Sequence, residues 1–532
     1  MSRLSRRIGL SLSLVTIAAA VATLAAAPTA VDTAFKAFWD APTPTEASAA
    51  TEAIVKLNPS FSDAYARLKK GREYSADVAK GIVRLSHRFA RGNFEYTLDV
   101  PDTYTPSRAY QVRVQLHGGV TGRDDGSIRG SGGIGQLAGA EQIYVLPVSW
   151  RDAQWWTNAQ LENMRAILDS LKRTYNVDEN HVVLSGVSDG ATANYYFAMR
   201  DTTPFASFLP LNGALAVLQS DSLDVEGELF PQNLVDKPFF MVNGGRDPLY
   251  PPDIVEPYID HLKQNHVEIV YHQQPEGVHN TAWWPQEKDA FEAFVRDHPR
   301  KPFPDRLTWE TDMTGETSRA HWLVIDKLTG EQPPTAAERG SQATAPLPDL
   351  NLFRPDLLGT FGLKAEATTI VRVTGASSAS TFFFEPGDVV TAVQGQPVAK
   401  DAKLGDVFSR FAEGRLTVTV LRAGKPVDLS GYYKGGASNA VMLFPRDQPS
   451  GRVDLVREGN TVRATTRGVA EFTLLVSPDA FDLSKPIRVV ANGRTVFDGR
   501  ARESLATLMK WAARDNDRTM LFAAEIHVRV AE

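Results

Sequence analysis

From residue 94 to residue 296 the hydrophobic pattern switches back and forth between two periods. Short apolar runs occupy 94–100, 110–116, 143–148, 182–184, 205–211, 238–242 and 268–272. Between and after them, 153–175, 191–200, 252–266 and 286–296 carry apolar residues at helical spacing. The first kind of run predicts buried strands and the second amphipathic helices. Their alternation predicts an α/β unit over residues 91–300, a mostly parallel sheet with helices on both faces. Ahead of it, 34–40, 47–56 and 62–70 repeat the helical spacing around the break at Asn58-Pro59-Ser60, so 32–90 is expected to be a helical extension.

Past Pro302 and Pro304 the period changes. Residues 306–311 and 319–326 read as two strands joined by a turn around Gly315, a β-hairpin spanning 305–328. Residues 329–356 are rich in Pro, Ala, Thr and Gly, the composition of a linker. Residues 451–500 and 525–530 alternate apolar with polar, with turns at Glu458-Gly459-Asn460 and Asn492-Gly493 and a helical stretch at 503–513. A C-terminal β domain over 436–532 is therefore expected. The 305–328 hairpin has no sheet of its own, so it is expected to pair with that domain, which makes the intervening 357–433 segment an insertion in a β-sandwich.

A chain of 532 residues exceeds what one hydrophobic core supports, in keeping with this multi-domain reading. A net charge of −6 gives no electrostatic footprint for nucleic acid or anionic membrane. With no cysteine, disulfides, thiolate nucleophiles and Cys-ligated metals are excluded. At the N-terminus Arg3, Arg6 and Arg7 precede an uncharged stretch, 8–31, that ends near Ala25-Ala26-Ala27. This resembles a bacterial secretory signal and places the chain in the periplasm or outside the cell. The stretch is long enough to act as a retained anchor if it is not cleaved, which would be the chain's one link to a membrane.

Candidate chemistry collects where predicted strands end. Val182-Val183-Leu184 runs through Gly186-Val187-Ser188-Asp189-Gly190 into a helical stretch. A Ser flanked by glycines at a sharp strand-to-helix turn is the context of a nucleophile elbow, because the turn leaves no room for neighbouring Cβ atoms. After the 110–116 run comes His117-Gly118-Gly119 and a loop with Gly122, Gly126, Gly130, Gly132 and Gly133. Backbone N–H groups at Gly118 or Gly119, with that of Asp189, are candidates to bind an oxyanion. A phosphate cradle is disfavoured, since no Gly-Lys-Ser/Thr ending or dinucleotide fingerprint is present. Asp247, in Gly245-Arg246-Asp247-Pro248, follows the 238–242 run, and His279, in Gly277-Val278-His279, follows the next. A carboxylate there can orient an imidazole, which in turn can take the Ser188 proton. Trp155-Trp156 and Trp283-Trp284 lie beside strand ends and offer either flat surface for a substrate or closure of the core.

The order Ser, Asp, His, together with these motifs, resembles the α/β-hydrolase superfamily over about 94–300, specifically secreted esterases of the feruloyl esterase and polyhydroxybutyrate depolymerase type. The resemblance implies an α/β-hydrolase sheet and two-step acyl transfer on a small-molecule or polymer ester, with no metal or organic cofactor. Asp189 departs from it, since many relatives carry a neutral residue there. The 357–433 segment resembles a bacterial PDZ domain through Pro386-Gly387-Asp388-Val389-Val390, Val393-Gln394-Gly395-Gln396-Pro397-Val398 and Leu421-Arg422-Ala423-Gly424-Lys425. That likeness implies a sheet edge open to a peptide C-terminus, with Thr360-Phe361-Gly362-Leu363 the nearest candidate for a carboxylate-binding loop. The expected architecture is thus an α/β-hydrolase domain with a PDZ-like domain and a C-terminal β-sandwich-like domain. The sequence leaves open ester against peptide-bond cleavage, and a catalytically idle binding protein as the alternative class.

Overall fold

The computed structural model describes residues 28–120, 132–219, 223, 225–330, 353–355, 363–373, 378–433, 440–442, 444 and 448–530. Residues 1–27 of the signal-like segment, Gly122, Gly126 and Gly130, most of the 329–356 stretch and Thr360-Phe361-Gly362 lie outside the described residues. No helix among the described residues is long and apolar enough to cross a membrane.

The catalytic candidates sit on a mixed α/β unit. Its eight strands are β1 (Gly81–Phe89), β2 (Gly92–Val100), β3 (Tyr110–Leu116), β4 (Ile143–Pro147), β5 (Val177–Val187), β6 (Phe208–Leu211), β7 (Phe239–Gly244) and β8 (Ile269–Gln274). They lie in the order β1-β2-β4-β3-β5-β6-β7-β8. β1/β2 and β2/β4 are antiparallel, and every pairing from β4/β3 through to β7/β8 is parallel. The central strand β5 shows why its core is a continuous apolar run. Val182 and Leu184 belong to one buried cluster and Val183 to another, so each face of the strand meets its own layer. The first cluster includes Ile167 and Leu171 of helix Asn158–Thr174 and Val255 and Ile259 of helix Pro252–Gln264. The second includes Phe291 and Val295 of helix Trp284–Asp297.

The N-terminal extension is three helices, Ala30–Asp40, Pro44–Leu57 and Phe61–Lys70, capped by the side chains of Thr29, Thr43 and Ser60. The extension is not helical throughout, because 81–89 forms β1 and pairs along its whole length with β2. Its helices also do not pack by themselves: Phe35, Phe38, Ile54 and Leu68 share a core with Leu508, Met509 and Ala512 of the C-terminal helix Leu505–Asp515.

The strands expected as a 305–328 hairpin do reach the C-terminal residues, although not as a hairpin. Arg306–Thr311 pairs antiparallel with Gly451–Glu458 in a five-stranded sheet. Leu323–Leu328 pairs antiparallel with Val469–Val476 in a four-stranded one. The turn Gly315–Ser318 carries the chain between sheets, and Trp309, Trp322, Leu455, Val462, Phe472 and Leu474 fill one core shared by residues of both. Between these segments, Leu363–Glu366, Thr369–Val373, Val389–Val393, Gly414–Arg422 and Lys425–Tyr433, with the short Gln396–Pro397 paired to Val389–Val393, form an antiparallel six-stranded sheet with the short helix Leu404–Phe408. Phe353–Pro355 pairs with Ala440–Met442 on either side of that unit.

Candidate active site

Ser188 stands between β5 and the helix Asp189–Arg200 with φ 58 and ψ −120. This is left-handed backbone on a non-glycine residue, which costs about 1–3 kcal/mol and persists only when its surroundings dictate it. They do so here through contact. A Cβ on Gly186 would lie 2.1 Å from Gly190 O, and one on Gly190 would lie 2.4 Å from Leu116 O. The flanking glycines therefore let the turn press against its own helix and against β3. Ser188 N donates to Leu211 O at 3.1 Å, which ties the turn to β6 as well.

Asp247 and His279 arrive from the ends of β7 and β8. The Asp247 side chain is wholly buried. Its Oδ1 accepts from Leu249 N at 2.8 Å and Tyr250 N at 2.9 Å, and its Oδ2 lies 2.6 Å from His279 Nδ1. A carboxylate so held fixes Nδ1 as the protonated nitrogen and leaves Nε2 to accept. His279 Nε2 is 2.9 Å from Ser188 Oγ. The three side chains thus form one hydrogen-bonded chain with polarity from serine to carboxylate.

The two loops carrying Asp247 and His279 are joined to each other. Arg246 N donates to Gly277 O at 2.8 Å, Gly245 N donates to Gln274 O at 2.7 Å, and a Cβ on Gly244 would meet Gly277 O at 2.5 Å. Asn212, just past β6, completes the connection. Its Nδ2 donates to Asn280 O at 2.8 Å and its Oδ1 accepts from Gly244 N at 3.1 Å. Asn212 was not singled out in the sequence, and neither was Tyr250. The Tyr250 ring meets the His279 ring edge-on with centroids 5.1 Å apart. Its hydroxyl lies beside Ser188 and Asp189, and burial, with the Asp189 charge second, pushes the phenol up to about 12.

The loop after β3 also approaches Ser188. A Cβ on Gly118 would fall 2.7 Å from Ser188 Cβ, so only glycine allows the loop to approach Ser188 this closely. Gly119 takes φ +70. Among the described residues, the N–H groups of Gly119 and Asp189 have no hydrogen-bond partner, which leaves them as donors to a ligand. His117 supports the loop: its Nε2 accepts from Ser149 N at 3.1 Å, so its Nδ1 is the donor to Gly118 O at 2.9 Å.

The four tryptophans are not the substrate platform that their sequence positions allowed. Trp155 and Trp156 have no exposed surface, and Trp283 and Trp284 are 5% and 2% exposed. Trp155 Nε1 donates to His117 O at 2.9 Å and Trp284 Nε1 to Ala138 O at 3.0 Å. These indoles are turned inward, where their area stabilises the core and two of their N–H groups hold neighbouring backbone. Among the described residues no three His, Asp or Glu side chains come together as metal ligands.

Neither a family model nor a curated protein matches the chain. Solved structures resemble part of it. A thermostable esterase matches at 20% identity and a TM-score of 0.32, over 41% of this chain; the match spans 63% of that enzyme, less than two thirds of its length. An S-formylglutathione hydrolase from Staphylococcus aureus matches at 18% identity and a TM-score of 0.32, over 41% of this chain and 99% of that one. A feruloyl esterase module from Clostridium thermocellum matches at 17% identity and a TM-score of 0.31, over 44% of this chain and 90% of that one. At these identities and scores the likenesses add nothing to the geometry.

Proposed function

We propose that the chain is a serine hydrolase of the α/β-hydrolase type that cleaves carboxylic esters through an acyl-enzyme. The observation that carries this reading is the continuous hydrogen-bonded chain from Ser188 Oγ through both ring nitrogens of His279 to buried Asp247. In the proposed mechanism His279 Nε2 takes the Ser188 proton as Oγ attacks the ester carbonyl, and Asp247 holds the resulting imidazolium. The N–H groups of Asp189 and of the Gly118-Gly119 turn receive the oxyanion, a contribution of about 10²–10³ in rate per donor. His279 then protonates the leaving alcohol, and water activated by the same imidazole releases the acid.

The N-terminal pattern of Arg3, Arg6 and Arg7 before an apolar stretch supports a site of action in the periplasm or outside the cell. The motifs at Pro386–Val390 and Val393–Val398, on a six-stranded antiparallel unit, support a PDZ-like domain between the strands of the β-sandwich.

The test is turnover of p-nitrophenyl esters, feruloyl esters and aminoacyl amides by wild type and Ser188→Ala. The expected result is ester hydrolysis that is lost in the variant. Hydrolysis of amides without esters moves the assignment to a peptidase, and equal activity in both proteins rejects it.

A further inference from the structure

We propose that the Asp189 carboxylate is the positioning residue of the oxyanion site, clamping the far end of the Gly118-Gly119 turn through the Val120 N–H. The inference rests on the serine-hydrolase reading and assigns its least expected residue. A carboxylate beside the nucleophile is, on charge alone, the wrong group for the place, because it raises the energy of the negative charge that develops on the carbonyl oxygen. Its geometry supplies a reason for it. Asp189 Oδ2 accepts from Val120 N at 2.8 Å, across 69 residues of sequence.

The turn between His117 and Val120 needs such a clamp. Two consecutive glycines carry the largest conformational freedom of any dipeptide, and Gly119 sits at φ +70 where glycine moves most easily. The near end is fixed by the His117 ring, which bridges Gly118 O and Ser149 N, and by Trp155 on His117 O. The far end is fixed by Val120, whose side chain is wholly buried in the core and whose N–H is held by Asp189. With both ends tied, the Gly119 N–H becomes a preorganised donor. The other donor is the backbone N–H of Asp189 itself, so one residue sets the spacing between the two walls. The Val120 N–H is committed to this bond and is not an oxyanion donor.

Charge and clamp predict opposite signs, which makes the idea testable in the full-length protein. Wild type, Asp189→Asn and Asp189→Ala are compared for kcat and KM on p-nitrophenyl butyrate, a neutral ester, and for inhibition by phenylboronic acid, which forms a tetrahedral adduct. Asp189→Ala is expected to lower kcat by about 10- to 100-fold, the cost of misplacing a reacting geometry by an ångström, with KM changed little. Boronate affinity is expected to fall in parallel. Asp189→Asn keeps an oxygen to accept from Val120 and is expected to retain most of the rate. If Asp189→Ala does not fold, Asp189→Ser, too short to span the gap, takes its place with the same expectation. Rates at or above wild type in either truncated variant overturn the clamp. Equal losses in Asn and Ala variants overturn it too. Wild type that neither turns over esters nor reacts with a fluorophosphonate instead sinks the hydrolase reading itself.

Discussion

Asn212→Gly separates the stability of the site from its alignment. Asn212 is fully buried and holds φ 51, a left-handed conformation that Gly adopts without strain. The substitution therefore leaves the backbone path free to persist, including the bond from Asn212 N to Val242 O at 2.7 Å, and removes only the side chain. Two groups lose partners, the Asn280 carbonyl at 2.8 Å and the Gly244 N–H at 3.1 Å. Each buried group left unsatisfied costs about 1–3 kcal/mol, and water entering the vacated space recovers part of that, so a loss of about 2–4 kcal/mol is expected. The rate effect is separate. Asn280 follows His279, so releasing its carbonyl loosens the imidazole against Ser188 Oγ, with an expected fall of about 10- to 100-fold in kcat. Urea denaturation and ester kinetics on the same preparation measure the two effects. A destabilised variant with wild-type kcat would show that the other loop contacts hold His279, and a variant unchanged in both would refute the reasoning. Asn212→Asp serves as the companion: it keeps an acceptor for Gly244 N but turns an oxygen toward the Asn280 carbonyl, and the same rate loss is expected.

Three further outcomes follow from the packing. Gly186→Ala sets a Cβ 2.1 Å from Gly190 O, a backbone atom that cannot swing away, so the soluble folded yield and the fluorophosphonate-reactive fraction are expected to collapse together. Arg300→Met removes a guanidinium that is 2% exposed and bonded to Asp517 at 2.7 Å, to Thr519 and to Asn180. It is expected to cost about 3–5 kcal/mol by denaturant titration, because the Asp517 charge is left buried. His321 is buried where the α/β unit meets the C-terminal sheets, and desolvation, then Lys237, Arg300 and Arg319, holds its imidazole well below the usual value. The unfolded chain takes up a proton as pH drops below about 6.5 while the folded chain does not, so stability present above that pH falls by up to about 1.4 kcal/mol per pH unit. Stability curves between pH 7.5 and 5 should be shallower in His321→Gln; parallel curves would contradict this.

What the sequence disclosed and what it hid have physical causes. Ser188, Asp247 and His279 were legible because each follows an apolar run and sits among residues that only a tight turn requires, and the structure brings the three into hydrogen-bond contact. β1 was not legible. Val83 and Phe89 on one face pack only partly against the cores, while His87 interrupts that face and Arg84, Ser86 and Arg88 fill the other, so the alternation is weak and pairing with β2 along the whole strand defines it. The two strands read at 306–311 and 319–326 looked like partners because they are neighbours in sequence. Pairing with the C-terminal residues was expected; that the two strands part to separate partners some 140 residues later, in different sheets, was beyond any local pattern. The tryptophans show a third kind of limit: sequence places an indole near a strand end without saying which way it turns, and here all four turn inward. Asn212 and Tyr250 gave only faint signals, an Asn-Gly after a buried run and an aromatic three residues past Asp247.

The proposed hydrolase requires that His279 and Asp247 make Ser188 a nucleophile at neutral pH. Reaction of the full-length chain with a fluorophosphonate, followed by intact mass and peptide mapping, tests it most directly. A single adduct on Ser188 is expected, absent in Ser188→Ala and slowed by about 10³-fold or more in His279→Ala. An unmodified wild-type chain, an adduct on another residue, or labelling of Ser188 at the same rate without the imidazole would contradict it.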